Sequence, residues 1–266
     1  MRFQVRSLFF ALAAAPFAMP AFAGQAPAPA ATPAGLAQRF APVDLTGTWV
    51  SVVTEDWHVR MLSPPKGDFE SLPLTPAARD AANRMDMAQV AAAGRSCEAY
   101  GAPIIMREPG RVRISWQDAS TLKLDTDAGQ QTRLFHFDRT ASATGAPSLQ
   151  GHSLAEWQYA RGFDPVKAAA ATVKPGAAAP QPSGGRLKVV TNHLAPGFLR
   201  KNGVPYSAAA VVTEYYNLLV ESSGQPWFVV TTVVRDPANL LVDYITSTNF
   251  RKEPDNAKFK PRPCTL

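Results

Sequence analysis

The stretch "VVTEYYNLLVESSGQPWFVVTTVVRDPANLLVDYITSTNF", residues 211–250, decides the fold class. Its three apolar segments are rich in Val, Ile, Thr, Tyr and Phe, and they alternate with a period of two, as half-buried strands do. The loops between them, "ESSGQP" and "RDPAN", contain the Gly, Pro, Asn and Asp residues that are typical of turns. The stretch therefore predicts an antiparallel meander of three strands.

The same alternation extends upstream over most of the chain. Further strand-like segments are "GTWVSVVTEDWHV" (47–59), "RVRISW" (111–116), "TLKLDTD" (121–127), "QTRLFHF" (131–137), "SLAEWQYA" (153–160) and "LKVVTNHL" (187–194). Helical signal is almost confined to residues 74–94, where Thr75 is a plausible N-cap and Pro76 stands at the first helical position. Many short antiparallel strands with one helix favour an all-β closed barrel or a sandwich. We predict an antiparallel, closed, up-and-down barrel with one short rim helix.

The N-terminus has the pattern of an export signal. Residues 1–23 combine two arginines, a short apolar run and the small-residue sequence "AFA" before Gly24. The apolar run is too short to span a bilayer, so we expect no transmembrane segment. Residues 24–42 are rich in Ala and Pro and predict a flexible leader, while residues 43–266 form one predicted β-barrel domain that contains a second Ala/Pro-rich loop at 164–185. We expect a periplasmic or secreted monomer.

Charge and cysteine content limit the function classes. The formal net charge of +6 falls by two when Arg2 and Arg6 of the predicted signal are removed, and the remaining basic residues are scattered. A nucleic-acid groove needs clustered basic residues, so nucleic acid is not an expected partner. Cys97 and Cys264 are the only two cysteines. In an exported protein such a pair predicts one disulfide bond.

A short motif opens the first predicted strand. Gly47-Thr48-Trp49 resembles the Gly-x-Trp signature of lipocalin-like (calycin) barrels, and the chain is similar to bacterial exported members whose function is unassigned. The resemblance implies a barrel whose floor is closed by Trp49, with Arg251 packed across the indole as a cation–π partner. It also implies a lumen that binds or carries a small hydrophobic or amphipathic molecule.

Strand parity suggests which residues contact that molecule. If Trp49 points into the lumen, Glu55 and Trp57 point there too, provided that no bulge intervenes. The loop 196–207 concentrates cations and aromatics and is expected to lie over the barrel mouth, with residues 60–74 as a partner lid. The predicted ligand-binding residues are Glu55, Trp57, Trp116, Arg200, Tyr206, Glu214 and Tyr215, with Arg133 as a further polar contact.

An enzyme using the same cavity is the alternative. Asp125, Asp127, Arg133 and His136 lie on the two arms of one predicted hairpin, and an Asp–His pair can serve as a general base. His136 or His193 would be the base, an aspartate its orienting partner and Arg133 an oxyanion stabiliser, in an isomerase, cyclase or lyase. The same acids also suit a turn around a glycine, so the sequence leaves open whether the protein is an enzyme.

Several other chemistries lack their sequence signals. The four histidines form no HxH or HxxxH pair, so no metal site is predicted. Phosphate-binding loops and dinucleotide fingerprints are also absent from the sequence, and no cofactor is expected. A third function class, an envelope interaction protein that uses the outside of the barrel, would have a filled lumen and an exposed apolar patch.

Overall fold

The alternating segments form strands in the computed structural model, which describes residues 33–171 and 178–266. The strands of these ranges are β1 Gly47–Val52, β2 Arg111–Asp118, β3 Thr121–Thr126, β4 Thr132–His136, β5 His152–Tyr159, β6 Gly185–Asn192, β7 Gly197–Arg200, β8 Val204–Tyr206, β9 Val211–Val220, β10 Pro226–Arg235 and β11 Tyr244–Lys252. The α-helices are α1 Trp57–Arg60, α2 Pro76–Arg84, α3 Met87–Ala92 and α4 Pro165–Ala170. The predicted signal peptide, 1–23, lies outside the described residues.

Nine of the strands close into a barrel in the order β1-β11-β10-β9-β6-β5-β4-β3-β2. The predicted closed barrel and the meander β9–β10–β11 are confirmed. The purely antiparallel, up-and-down prediction is wrong, because β4 and β5 pair in parallel. A parallel pair needs a crossover of a dozen or more residues, and the segment 137–151 provides it. The hairpin β7–β8 lies outside the barrel as a separate two-stranded sheet.

The barrel interior is packed with aromatic side chains. Trp49, Phe135, Tyr216, Phe228 and Phe250 are all buried to 1% exposure or less. Phe228 stacks on Phe250 with ring centroids 4.5 Å apart, and Trp49 meets Phe228 edge-on at 4.9 Å. Such aromatic pairs add about 0.5–1.5 kcal/mol each beyond the area that they bury. The lumen is therefore a packed core at this level of the barrel.

The predicted contact between Arg251 and Trp49 is wrong. In the register of β1 against β11, Arg251 lies opposite Val50 and Lys252 lies opposite Trp49. Successive strand residues point to opposite faces, so the side chain of Lys252 shares a face with the indole and that of Arg251 does not. Lys252 Nζ lies 5.2 Å from the Trp49 ring, Trp49 Nε1 donates to the Leu45 carbonyl oxygen at 2.9 Å, and Arg251 is exposed.

The predicted first strand, 47–59, is too long. The strand ends at Val52, and Asp56 adopts left-handed backbone angles, φ 50° and ψ 31°, before α1 begins. The ion pairs Glu55–Arg60 and Asp56–Arg107, at 2.9 and 2.8 Å, hold this turn. Strand parity therefore does not determine the direction of the Trp57 side chain, which is 64% exposed.

Two short helices replace the single predicted helix. Thr75 caps α2 by accepting from Ala78 N, as its sequence position suggests. The predicted helix does not continue through Asp86. The Asp86 carboxylate accepts from Ala88 N and Gln89 N and so caps a new helix, α3. The predicted loop 164–185 similarly begins with a helix, α4, capped by Asp164.

One end of the barrel, where β2, β9 and β11 begin, is covered by what we call the cap: residues 53–110 and 193–210. The cap and the barrel share a second apolar core that includes Leu72, Ala82 and Val204 from the cap and Val212 and Val234 from the strands. This core fixes the cap onto the barrel end.

Both ends of the described chain are packed against the same domain. The predicted disulfide Cys97–Cys264 is present, with a Cα–Cα distance of 5.1 Å, and it joins the C-terminal segment to the cap. At the other end, Ala37 and Phe40 of the predicted leader are fully buried, and Trp157 Nε1 donates to the Ala37 carbonyl oxygen at 2.8 Å. None of the described helices is long and apolar enough to cross a membrane.

Candidate ligand-binding site at the capped end of the barrel

The charged residues of the lumen bind each other. Arg133 donates to both carboxylate oxygens of Glu214, at 2.9 and 2.5 Å, and to Thr191 Oγ1 at 3.2 Å. Tyr216 donates to the same carboxylate at 3.2 Å, and burial together with Glu214 raises the pKa of Tyr216 well above its ordinary value. Ser153 and Thr191 hydroxyls lie 2.7 Å apart. This network engages Arg133 and Glu214, two of the polar residues that the sequence assigns to a lumen ligand.

The structure does not bring the predicted Asp–His pair together. Burial raises the pKa of Asp125, but hydrogen bonds from Thr132, Arg113 and Lys123 outweigh it and hold the pKa below its ordinary value. Asp125 lies near the turn end of the β3–β4 hairpin, and His136 lies at the far end, opposite Thr121.

The other residues assigned to catalysis are engaged elsewhere. Asp127 accepts from Arg111 N at 2.7 Å, and this bond ties the turn after β3 to the start of β2. His136 stacks on His152 with ring centroids 5.4 Å apart, and burial together with His152 lowers the pKa of His136. His193 is half-buried, with Nε2 3.1 Å from the Gly145 carbonyl oxygen. Among the described residues, no three His, Cys, Asp or Glu side chains are placed to hold a metal ion.

The aromatic residues assigned to ligand contact are also dispersed. Trp116 is half-buried and packs on Phe137, with ring centroids 5.6 Å apart. Tyr206 is buried in the core between cap and barrel, and this burial raises the pKa of its hydroxyl. Tyr215 lies on the outer face of β9 with the Arg186 guanidinium 4.6 Å from its ring centroid. None of these three rings lines the cavity described next.

A cavity of about 210 Å³ lies between the cap and the barrel end, and we call it the cap cavity. Residues from α1 and the segment after it form one wall, and β7 with the residue that follows it forms another. The expected loop 196–207 and partner segment 60–74 thus meet in the fold. The charged lining residues are Arg60, Arg107, Glu108, Arg200 and Lys201, and the apolar ones include Ala99, Ile104, Leu199 and Tyr244.

Three of the four cations of the cap cavity form ion pairs within the protein, and two of them, Arg107 and Lys201, keep no buried nitrogen without a partner in the described part of the chain. Arg107 Nη2 lies 2.8 Å from Asp56 Oδ2, and Lys201 Nζ lies 2.8 Å from Glu108 Oε2. Burial raises the pKa of Glu108, although Lys201 opposes the effect. Lys201 also donates to the Tyr100 hydroxyl at 3.0 Å. Burial disfavours the charged form of Lys201, but Glu108 outweighs it and raises the lysine pKa.

The other two cations, Arg60 and Arg200, keep buried nitrogens without partners. Arg60 is 8% exposed; its Nε donates to the Arg107 carbonyl oxygen at 3.1 Å and its Nη1 to Glu55 Oε1 at 2.9 Å. Burial and the neighbouring Arg107 lower the pKa of Arg60. Arg200 is 7% exposed, and its Nη2 donates to the Glu70 carbonyl oxygen at 2.6 Å. Within the described ranges, Arg60 Nη2 and Arg200 Nη1 have no hydrogen-bond partner.

A second cavity of about 410 Å³ adjoins the cap cavity. The two share Arg60, Met61, Glu108, Lys201 and Thr265 in their walls. Thr265 follows Cys264 directly, so the disulfide holds part of the C-terminal segment against both cavities. The two cavities therefore lie side by side at the capped end of the barrel.

The sequence predicts Arg200 as a ligand contact, but it does not predict the other four charged residues that line the cap cavity. Arg107 and Glu108 stand at the end of the apolar run "APIIMREPG", a position where two charges are unusual in a buried segment. Arg60 lies in the predicted lid and Lys201 is one of the cations of the predicted mouth loop 196–207, but neither is among the predicted ligand-binding residues. Only the fold brings these distant segments together.

No family model, curated protein or solved structure matches this chain.

Proposed function

We propose that this protein is an exported binding protein for a small organic molecule, and that the molecule is held in the cap cavity rather than in the barrel lumen. The observation that carries this proposal is the convergence of Arg60 and Arg200 on one cavity with apolar walls, each with a buried nitrogen that no described residue satisfies. Leaving such a group unsatisfied costs about 1–3 kcal/mol, and more when it is charged. A bound molecule would offset that cost.

The packed interior argues against the lumen as the site. Arg133 and Glu214, the charged groups expected to orient a ligand there, are bound to each other and fully shielded from solvent. The aromatic rings that would contact an apolar body pack on one another instead. The resemblance to lipocalin-like barrels agrees with a closed barrel and with a binding role, but we place the ligand outside the lumen.

Export is part of the proposal. The pattern of residues 1–23 suits a cleavable signal, and the Cys97–Cys264 disulfide suits an oxidising compartment. A periplasmic or secreted monomer that binds a metabolite-sized molecule is the simplest protein with these features.

Native mass spectrometry tests the proposal. The full chain is purified from the periplasm of a bacterial host, and its mass is compared under native and denaturing conditions. We expect an organic adduct on the wild-type protein that is lost in Ile104→Trp, because the larger side chain fills the cap cavity, and retained in Val166→Trp, which changes an exposed residue of α4. An adduct that survives Ile104→Trp, or the absence of an adduct from every preparation, would contradict the proposal.

An acid–base enzyme at the same cavity is the second candidate, in the isomerase, cyclase or lyase class. The observation that favours it is the buried Glu108–Lys201 pair in the cavity wall, since burial raises the pKa of the carboxyl toward the range of a general acid. Here Glu108 and Lys201 replace His136 and Asp125 as the acid–base groups. A compound that is chemically altered by the wild-type protein and left unchanged by Glu108→Gln would support this reading. A bound compound recovered intact from the wild-type protein supports the binding protein.

A further inference from the structure

We infer that the molecule bound in the cap cavity carries a single carboxylate, which lies between the guanidinium groups of Arg60 and Arg200, and a short apolar body. This inference rests on the proposed function and names the class of its ligand.

Two buried arginines supply hydrogen-bond donors to the cap cavity. Arg60 and Arg200 come from α1 and β7, are more than nine-tenths buried, and line the same cavity. One nitrogen of each guanidinium, Arg60 Nη2 and Arg200 Nη1, is buried without a hydrogen-bond partner among the described residues. Each needs an acceptor, and a carboxylate offers two oxygens in one plane with about four lone-pair positions. Charge-assisted hydrogen bonds of this kind are about twice as strong as neutral ones.

Most of the cations that line the cap cavity are paired with carboxylates of the protein. The side chains that line the cap cavity include four cations, Arg60, Arg107, Arg200 and Lys201. Three carboxylates bind them within the protein: Glu55 binds Arg60, Asp56 binds Arg107, and Glu108 binds Lys201.

Four cations against three carboxylates leave one positive side-chain charge, that of Arg200. The contact found for its Nη2 is the neutral carbonyl oxygen of Glu70. Burying a cation without a charged partner is costly, and a carboxylate on a ligand would supply that partner.

Part of the wall of the cap cavity is apolar. Ile104 and Leu199 line the same cavity and are buried, and Met61 and Leu62 stand at its edge with exposed side chains. The volume of about 210 Å³ has room for about seven water-sized groups at roughly 30 Å³ each. A carboxylic acid of five carbons has seven non-hydrogen atoms and therefore matches the cavity in size. Larger acids would extend into the adjoining cavity.

The test uses pentanoate and its neutral isostere pentanamide as probes. Each is titrated by calorimetry into the full-length, disulfide-intact protein at concentrations up to about 10 mM, since molecules of this size bind with millimolar to micromolar Kd values. We expect pentanoate to bind at least about tenfold more tightly than pentanamide, because the amide brings no charge to Arg200. In Arg60→Met and Arg200→Met, pentanoate affinity should fall to that of pentanamide. The matched control is Arg251→Met, which removes an exposed arginine of β11 and should leave affinity unchanged.

Folding is checked separately from binding. Arg60→Lys and Arg200→Lys keep the positive charge and lose the planar donor pair, so they should retain part of the affinity if the methionine variants fail to fold. Circular dichroism and the thermal midpoint of every variant accompany the titrations.

The outcomes separate this inference from the proposed function. Equal affinity for pentanoate and pentanamide, or no binding of pentanoate at all, overturns the carboxylate inference while the co-purified adduct still decides the binding function. Pentanoate binding that survives Ile104→Trp also overturns the carboxylate inference, because the acid would then bind somewhere else. Loss of pentanoate binding in Ile104→Trp and in both methionine variants, with Arg251→Met unaffected, is the result expected here.

Discussion

Replacing Arg133 with methionine should be among the most destabilising single changes in this barrel. The guanidinium and the Glu214 carboxylate are both fully shielded from solvent and share two hydrogen bonds. Methionine fills a similar volume but leaves the carboxylate with Tyr216 as its remaining donor. Removing one partner of a buried ion pair costs about 3–5 kcal/mol, because the other charge stays buried without compensation.

The assay is urea unfolding of the disulfide-intact protein, followed by tryptophan fluorescence and circular dichroism. Arg133→Met should lower the free energy of unfolding by about 3–5 kcal/mol. The control, Arg251→Met, changes an exposed arginine and should stay within about 0.5 kcal/mol of wild type. Arg133→Met/Glu214→Met removes both charges and should recover most of the loss, since buried ion pairs are often replaced by apolar residues at little cost.

Comparison of the single variants with the double variant shows whether Arg133 and Glu214 are energetically coupled. If Arg133→Met and Glu214→Met each cost under about 1 kcal/mol and their effects add, the two residues are not coupled. The lumen would then hold enough water to solvate each charge alone. A hydrated lumen would also remove the main argument for placing the ligand in the cap cavity.

Three further predictions concern the cap, a helix end and the pH response. Replacing both Cys97 and Cys264 with serine should lower the free energy of unfolding by about 4–5 kcal/mol, because the bond closes a separation of 167 residues; an unchanged urea midpoint would show that the C-terminal segment is held by its other contacts. Thr75→Ala should cost about 1 kcal/mol through loss of the α2 cap, with Thr75→Ser as the control that keeps the hydroxyl. Burial and the stacked His152 lower the pKa of His136, so the folded state binds fewer protons at this site than the unfolded chain does. The stability that the neutral imidazole contributes is therefore lost as the pH falls below about 6.5 and through the lowered pKa of the folded state. His136→Gln should flatten the stability curve in that acidic window, and a curve of unchanged slope would contradict the assignment.

Much of the barrel could be predicted from the sequence because its strands alternate cleanly. The strand 211–220 was predicted at its observed bounds, and β10 and β11 followed from their turns. The parallel pairing of β4 with β5 could not be predicted in the same way, because periodicity identifies strands and not their neighbours. Pairing depends on which apolar faces meet after the crossover 137–151 has carried the chain back along the barrel.

The first strand shows how a local signal fails. Alternation runs on past Val52 through Glu55 and Trp57, yet ion pairs formed with distant Arg107 and nearby Arg60 turn the chain into α1. One break in the strand reverses every inward or outward assignment beyond it. The predicted lumen residues downstream of the break therefore became cap and surface residues.

The candidate site was less predictable than the fold because its parts are far apart in sequence. Arg60 and Arg200 stand on α1 and β7, and neither segment contains a recognisable motif. What joins them is the packing of cap on barrel end, through residues such as Leu72, Val204 and Val234. A single arginine in a loop is ordinarily solvated, so its value as a ligand contact appears only when its surroundings are known.

The barrel and the cap differ in how far their buried charged groups are paired within the protein. In the lumen the buried Arg133 is paired with the buried Glu214, so the charges of the barrel core are balanced without a ligand, although Arg133 Nε has no hydrogen-bond partner among the described residues. The cap, in contrast, buries two arginines whose hydrogen bonds it leaves incomplete, and the disulfide holds the C-terminal segment against it. Because stability and binding then draw on different residues, filling the cap cavity with Ile104→Trp should remove the ligand while leaving the Arg133–Glu214 network intact. Loss of the barrel's cooperative unfolding in that variant would show instead that cap and barrel are one energetic unit.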